Sequence, residues 1–391
     1  MVILGAGLAG LSLACALLEE GVSEPIVLID RRTRWERDRT WCTWASETTS
    51  FAELAGHRWT AWRIAAHGHE AVARSSRHPY LHLDSRDVYE DALDRLARAR
   101  NVELRSGEAV LEVRGDGESP SVSTTAGTIE ASAIFDALGT ASPLLRRQPP
   151  GEIELAQSFL GWEVELEAPA FDPGVATLMD FRADDHGGLR FIYVLPFSAT
   201  RALIEDTSIG VRWPTPAERR RVLETELREH WGARDWRVVH EERGRVMMTN
   251  RTFALHHGSH IHAVGTAAGA VRPSSGYAFT RIQRHCSRLA RAIAANEPLP
   301  TRLGPSRLAR LDAIFLAALV AEPERFPEIF LRLGARVSGD VFARFMTDAS
   351  TPADEALIIG ALPKRPFVAA AVRSASSGTA AAALELARAR R

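Results

Sequence analysis

Residues 1–30, MVILGAGLAGLSLACALLEEGVSEPIVLID, constrain the fold of this chain more than any other stretch. Val2 to Leu4 reads as a short buried strand, and Gly5, Gly7 and Gly10 spell G-x-G-x-x-G. Leu11 to Leu18 then keeps helical spacing up to Gly21, and Ile26 to Ile29 forms a second apolar run that closes on Asp30. That order predicts a βαβ unit. In such a unit the first glycine permits the tight strand-to-helix turn, the second lets the backbone approach a pyrophosphate, and the third lets helix and strand pack closely. The pyrophosphate rests on the positive end of the helix, against backbone N–H groups that have no partner of their own. Asp30, about twenty residues beyond the turn, stands where a carboxylate accepts hydrogen bonds from an adenosine ribose. The alternative is a βα turn without a ligand. The complete order of strand, turn, helix, strand and terminal acid favours a dinucleotide.

A chain of 391 residues can bury a large core and divide into about two or three domains. Its 48 basic and 49 acidic side chains nearly cancel, so charge gives no reason to expect a nucleic-acid partner. Lys364 is the only lysine among many arginines, which reflects coding bias more readily than recognition. Cys15, Cys42 and Cys286 are few and far apart, a pattern that fits a reducing compartment and neither a disulfide framework nor a metal site. No signal sequence precedes the first strand, and no apolar run reaches the roughly eighteen to twenty residues of a spanning helix. A soluble or peripheral protein of the cytoplasm is expected. The first strand begins within two residues of Met1, abruptly for a central strand, which leaves room for a start further upstream.

After Asp30 come the arginine-rich stretch RRTRWERDRT and the aromatic cluster WCTW, where Trp41 and Trp44 read as packing residues. Ser85 is placed to cap a helix running to Ala99. Residues 102–134 alternate like an antiparallel meander, and Ile134-Phe135-Asp136-Ala137-Leu138-Gly139 then returns as an apolar strand ending on an acid and a glycine. Residues 150–213 carry three strands rich in β-branched and aromatic residues, separated by Pro, Asp and Gly turns. In the last of them Glu205 and Asp206 are neighbours, so only one can face an enclosed side. A polar helix spans about Thr215 to Trp231, with Pro216 at a tolerated early position. The strand Ile261 to Val264 runs into a glycine-rich loop and a long helix from Phe279, and the chain from Pro305 onward is helical. The tail is alanine-rich.

Several of these blocks together carry a resemblance. GAGLAG with Asp30, DRTWCTW, GWEVE with FDP and LMDF, YVLPFS-x-TRALIEDT, and GTAAGAVRPSSGYAF-x-R-IQR look like the flavin-dependent lycopene cyclases of carotenoid biosynthesis, nearest the bacterial type of lycopene beta-cyclase. The match runs in order from Gly5 to about Arg284. Gly265-Thr266, where many flavoproteins have Gly-Asp, follows that family's usage; Ser275 replaces a common threonine, and Glu205-Asp206 stands where plant-like members have two glutamates.

The resemblance implies an α/β fold with a glutathione-reductase-like FAD-binding Rossmann domain, an inserted antiparallel-sheet substrate domain and a helical C-terminal region. The corresponding intervals are 1–150, 151–245, 246–300 as the return to the FAD domain, and 301–391. The cofactor-binding candidates are Gly5, Gly7, Gly10, Asp30, Arg86, Asp136, Gly139, Gly265, Thr266, Gly269 and Gly276; Arg272 and Tyr277 either face the flavin or hold their loop. The resemblance also implies reduced FAD, with electrons from NAD(P)H, in a cyclisation of a linear polyene end group without net oxidation. Glu205 takes the place of the proton donor, with Asp206 in support.

That chemistry protonates a terminal alkene, closes a ring on the tertiary cation and removes a different proton. The acid must be neutral when substrate binds, and burial in an apolar pocket supplies this by disfavouring the charged form. Glu163 is the next carboxylate to consider should Glu205 not serve. The polyene must be drawn from lipid, so the helix faces between Leu308 and Val320 and between Phe326 and Phe345 either lie in a membrane interface or pack on the protein's own core. Competing readings are a flavin monooxygenase, an isoprenoid double-bond reductase and a carotenoid-binding flavoprotein without turnover.

Overall fold

The computed structural model describes residues 1–46, 50–115, 119–145, 152–182 and 188–375. The βαβ unit forms as the sequence predicts, with strand Val2–Leu4, helix Leu8–Glu19 and strand Ile26–Asp30. These strands are central in a five-stranded parallel sheet ordered Ile261–Ala263, Ile134–Asp136, Val2–Leu4, Ile26–Asp30 and Val102–Ser106. The helix is apolar around most of its circumference because it is covered on both sides. The sheet lies beneath it, and helix Phe279–Ala294 lies against it through Cys286 Sγ to the Ala9 carbonyl (3.4 Å) and Gln283 Nε2 to Ser12 Oγ (2.8 Å).

The meander is shorter than the sequence suggests. Val102–Ser106 belongs to the parallel sheet, and the antiparallel part is Val110–Arg114, Ser121–Thr124 and Gly127–Glu130. An edge strand of a parallel sheet is only half covered, so its residues alternate as those of an antiparallel strand do. Ser85 likewise differs from expectation. Asp84 caps helix Ser85–Ala97 by accepting from the Arg86 backbone N–H, whereas Ser85 Oγ accepts from the N–H groups of Asp38 and Arg39.

A second sheet has seven strands, ordered Trp236–Thr249, Glu154–Leu166, Arg201–Gly210, Leu189–Pro196, Ala176–Phe181, Ala61–Ala66 and His69–Arg74. Two of its strands come from residues 61–74, inside the interval assigned to the cofactor domain, and Trp236–Thr249 crosses the 245/246 boundary. Both faces of the central strands are covered. Helix Pro216–Thr225 packs one face through Leu223 with Ile204 and Val164. The other face meets the C-terminal helices Ser306–Ala321, Phe326–Arg336, Gly339–Met346, Pro352–Ala361 and Lys364–Ala375.

Leu316, Phe326, Ile329 and Leu333 are buried in that contact and Leu308 is buried as well, so these apolar faces pack on the protein's own core. Gly334 permits the close approach: a Cβ there would stand 3.3 Å from Ala71 Cβ. The alanine-rich tail beyond 375 lies outside the described residues. Among those residues no helix is long and apolar enough to cross a membrane.

Candidate active site

A cavity of about 770 Å³ reaches from the βα turn at Gly7, Leu8 and Ala9, along the inner face of the seven-stranded sheet, to Phe330, Phe345 and Phe367 of the C-terminal helices. Its two halves differ in chemistry. The turn half offers backbone N–H groups and arginines; the sheet half is apolar and aromatic around one acid.

In the turn half, Gly5 adopts φ +92°, and a Cβ on Gly10 would lie 1.8 Å from the Gly5 carbonyl oxygen. Only glycine allows that turn and that packing. Gly7 is different: its backbone is extended (φ −79°, ψ −170°), and a Cβ would meet only the tip of Arg32, 3.8 Å away. No side chain caps the helix that begins there. An open cradle at an uncapped helix N-terminus fits a pyrophosphate, so the residues present suit a flavin dinucleotide.

The other cofactor candidates divide into those at the cavity and those behind it. Gly139, Thr266 and Gly276 line it, the two glycines at φ +61° and +74°. Gly265 and Gly269 stand behind, against Ala9 and Phe253, where an added Cβ would come within 2.4 Å. Asp136 is fully buried and does not face the cavity; it accepts from the Leu138 N–H (3.0 Å) and from Ser142, which fixes the turn that presents Gly139. Burial raises its pKa against those hydrogen bonds. Asp30 is also buried, accepting from the Ala6 N–H (2.7 Å) and from Arg32 Nε and Nη2 (3.1 and 3.0 Å). Burial opposes its charge, but Arg32 outweighs burial and holds the carboxyl below the usual range. Arg32 is therefore the side chain lining the cavity where the sequence points to Asp30. Arg86 is exposed on the first turn of its helix and does not line the cavity, because Asp84 captures its backbone N–H and turns its side chain to solvent.

Loop 265–278 is pinned from behind. The Arg272 guanidinium is buried, donating to Asp312 (3.0 Å) and to the Phe345 carbonyl, and lies 4.2 Å from the Phe345 ring centroid. Arg272 thus holds the loop, while Tyr277 faces the cavity. Tyr277, Tyr80 and Tyr193 form a chain of hydroxyls, Tyr80 Oη standing 2.5 Å from Tyr277 Oη and 2.9 Å from Tyr193 Oη. Burial raises all three phenol pKa values and keeps the groups neutral, and it pushes the adjoining Cys42 thiol up to about 12.

In the sheet half, strand Arg201–Gly210 alternates as its pairing requires. Glu205, Thr207 and Ile209 face the cavity, and Ala202, Ile204, Asp206 and Ser208 face the other way. Glu205 is 8 % exposed and sits beside Tyr193 in the register. Burial first, and the neighbouring Glu242 second, raise its pKa well above the ordinary carboxylate value; the more distant Arg219 charge opposes them. Both causes favour the neutral acid over the carboxylate. Asp206, at 0 % exposure, is bound by Arg190 (2.7 and 2.8 Å) and Arg219 (3.1 Å) on the opposite face. Glu163 shares the Glu205 face but is paired with Arg37 (2.6 Å) and Arg201; these arginines outweigh its burial and keep it ionised. It cannot replace Glu205 as an acid. Arg32, Glu242, Tyr80 and Tyr193 escaped sequence reasoning, whereas Tyr277 did not. Arg32 was one arginine in a run of many, and Tyr80 had no motif around it.

A sequence model of a protein family, described as lycopene cyclase protein, matches residues 1–372. The chain is 24 % identical over 308 residues to the chloroplastic lycopene beta cyclase of Arabidopsis thaliana, an alignment covering 75 % of this chain and 60 % of that protein. It is 26 % identical over 321 residues to the lycopene beta cyclase of Synechococcus elongatus, covering 78 % and 75 %. The alignment thus spans about 60 % of the plant relative's length. Among solved structures, the halogenase PltM in complex with phloroglucinol and FAD superposes with a TM-score of 0.59 at 14 % identity, covering 100 % of this chain and 95 % of that one. That likeness is one of fold.

Proposed function

Because this chain belongs to the lycopene cyclase family, we propose that it closes rings at the linear ends of a carotenoid polyene by acid-initiated cyclisation, an isomerase reaction with no net oxidation. The observation that carries the reading is Glu205, a carboxyl buried in an apolar cavity that reaches the glycine turn of the βαβ unit, where burial and Glu242 favour its neutral form. An alkene is a very weak base, and a carboxyl that stays protonated at neutral pH is the donor such a reaction needs.

Gly7 and the first turn of helix Leu8–Glu19 would hold the FAD pyrophosphate, Arg32 would stand beside its adenosine half, and Gly139, Thr266 and Gly276 would line the remaining contact. When bound, and brought to its reduced state by NAD(P)H, the flavin would supply electron density that favours a cation nearby. The chain itself does the rest. Glu205 delivers its proton to the terminal alkene carbon, the ring closes on the resulting cation, and the aromatic faces of Trp44, Tyr193 and Tyr277 stabilise positive charge in a site that excludes water. Loss of a different proton completes the ring, so atoms and electrons balance.

Entry for the polyene is proposed at helices Pro352–Ala361 and Lys364–Ala375. Ile358, Leu362, Phe367 and Val368 line the cavity there; Val368, at the mouth, is 58 % exposed, and Leu357 and Val372 expose 60 % and 63 % of their surface. An apolar patch at a cavity mouth suits docking on the cytoplasmic face of a membrane.

The test is pigment analysis in cells that accumulate lycopene. The wild-type chain should convert the linear pigment to a cyclic product of unchanged mass, and Glu205→Gln should lose at least about a hundredfold of that activity while retaining FAD. A product heavier by oxygen would indicate a monooxygenase, one heavier by two hydrogens a reductase, and unchanged pigment a binding protein.

A further inference from the structure

We propose that Glu205 and Glu242 form a carboxyl pair sharing a single proton across the hollow above Gly161, with Glu242 as the positioning residue that keeps the proton on Glu205. The inference rests on the reading of Glu205 as proton donor.

The geometry begins with strand pairing. Strand Glu154–Leu166 lies between Arg201–Gly210 and Trp236–Thr249, and Gly161 is the register partner of Glu205 on one side and of Glu242 on the other. Register partners project to the same face of a sheet, so both carboxyls rise on the cavity side, from strands about 10 Å apart. An ordinary residue at position 161 would stand between them. Glycine leaves the space empty, and the Glu205 side chain occupies it: a Cβ on Gly161 would lie 2.8 Å from Glu205 Cγ and 3.2 Å from its Oε1. The same device recurs one pair along, where the Phe159 ring lies over Gly244.

Glu242 is 7 % exposed, and its buried Oε1 has no hydrogen-bond partner among the described residues. The adjacent Glu241 points the other way and is taken by Trp162 Nε1 (2.8 Å) and Arg220 (2.9 and 2.6 Å), so the Glu-Glu pair in the sequence divides between faces as Glu205-Asp206 does. Two buried carboxyls in contact cannot both ionise at ordinary pH; one proton stays between them.

Arg245, on the Glu242 strand, also lines the cavity, but its guanidinium lies over the Trp213 ring (4.9 Å) and is not among the charges that act on Glu205. Tyr193 on the next strand, and Tyr80, Tyr277 and Cys42 facing it, are all held neutral by burial. Arg219 acts only from the far face of the sheet, where Asp206 engages it, and Glu163 further along is neutralised by Arg37 and Arg201. Glu242 is thus the group that sets the protonation of Glu205 beyond burial itself.

The test compares pH profiles of kcat/KM for FAD-loaded wild type, Glu242→Gln and Glu242→Asp. Removing the like charge favours ionised Glu205, so the alkaline limb of Glu242→Gln should move to lower pH by at least about one unit, a loss of about tenfold at a pH above the limb. The KM for polyene and the FAD content should stay unchanged, and Glu242→Asp should keep the limb near its wild-type position. A Glu242→Gln profile superimposable on wild type would overturn the pair. Infrared titration of the resting holoenzyme reads the shared proton whether or not the protein cyclises anything. At neutral pH the wild type should show the C=O stretch of a buried protonated carboxyl that is missing from Glu205→Gln; identical spectra of the two proteins would likewise overturn it.

Discussion

Glu205 and Asp206 are consecutive, both acidic and both buried, yet alternation along one strand gives them opposite tasks. Glu205 faces an apolar cavity that raises its pKa and favours its neutral form; Asp206 faces Arg190 and Arg219 and completes a buried ion-pair cluster. Removing one partner of such a cluster leaves buried charge without compensation. Asp206→Asn should therefore cost about 3–5 kcal/mol of stability in a denaturant titration, whereas Glu205→Gln should unfold near the wild-type midpoint and lose only cyclisation. Gly7 and its neighbours separate in the same way. Gly7→Val sits on extended backbone that any residue adopts, so the variant should fold but fail to retain FAD after gel filtration; copurification with stoichiometric flavin would move the cofactor elsewhere. Much at this scale was legible, because glycine spacing and strand alternation are local rules. What was not legible was the choice of partner: Arg32 covers Asp30, Asp136 turns inward to Ser142 and Arg86 points to solvent, and although the partners of Asp30 and Asp136 are near in sequence, no spacing or motif announces which way these side chains turn.

At the scale of elements, the sheet that carries Glu205 is assembled from residues 61–74 as well as from 154–249. Periodicity could assign each strand but not its sheet, since an alternating run pairs equally well with either. The half-covered edge strand Val102–Ser106 misled for the same reason, and the C-terminal helices hid which of their faces was free. Helices Pro352–Ala361 and Lys364–Ala375 carry exposed apolar side chains, Leu357, Ile359, Val368 and Val372. Replacing Leu357, Val368 and Val372 together by Asp touches exposed positions, so thermal stability should change little. Flotation with anionic liposomes should fall several-fold relative to wild type. Equal flotation of the two proteins would remove these helices as the docking surface.

For the whole molecule, one cavity joins the glycine turn of the βαβ unit to the Glu205 carboxyl, and helices from the end of the chain line it. That layout brings redox-cofactor binding and acid chemistry to the same space, and the account holds that the acid, not electron transfer to the polyene, makes the ring. Activity should accordingly fall as pH rises through the elevated pKa of Glu205, above the range in which an ordinary carboxyl loses its proton, because the neutral form is the donor. The most direct measurement is the product mass after turnover in deuterium oxide with dithionite as reductant in place of NAD(P)H. The account predicts a cyclic product carrying one deuterium for each ring formed, no added oxygen and no net hydrogen, and none of it from Glu205→Gln. A product that gains oxygen or two hydrogens, or a ring formed without deuterium, would contradict it.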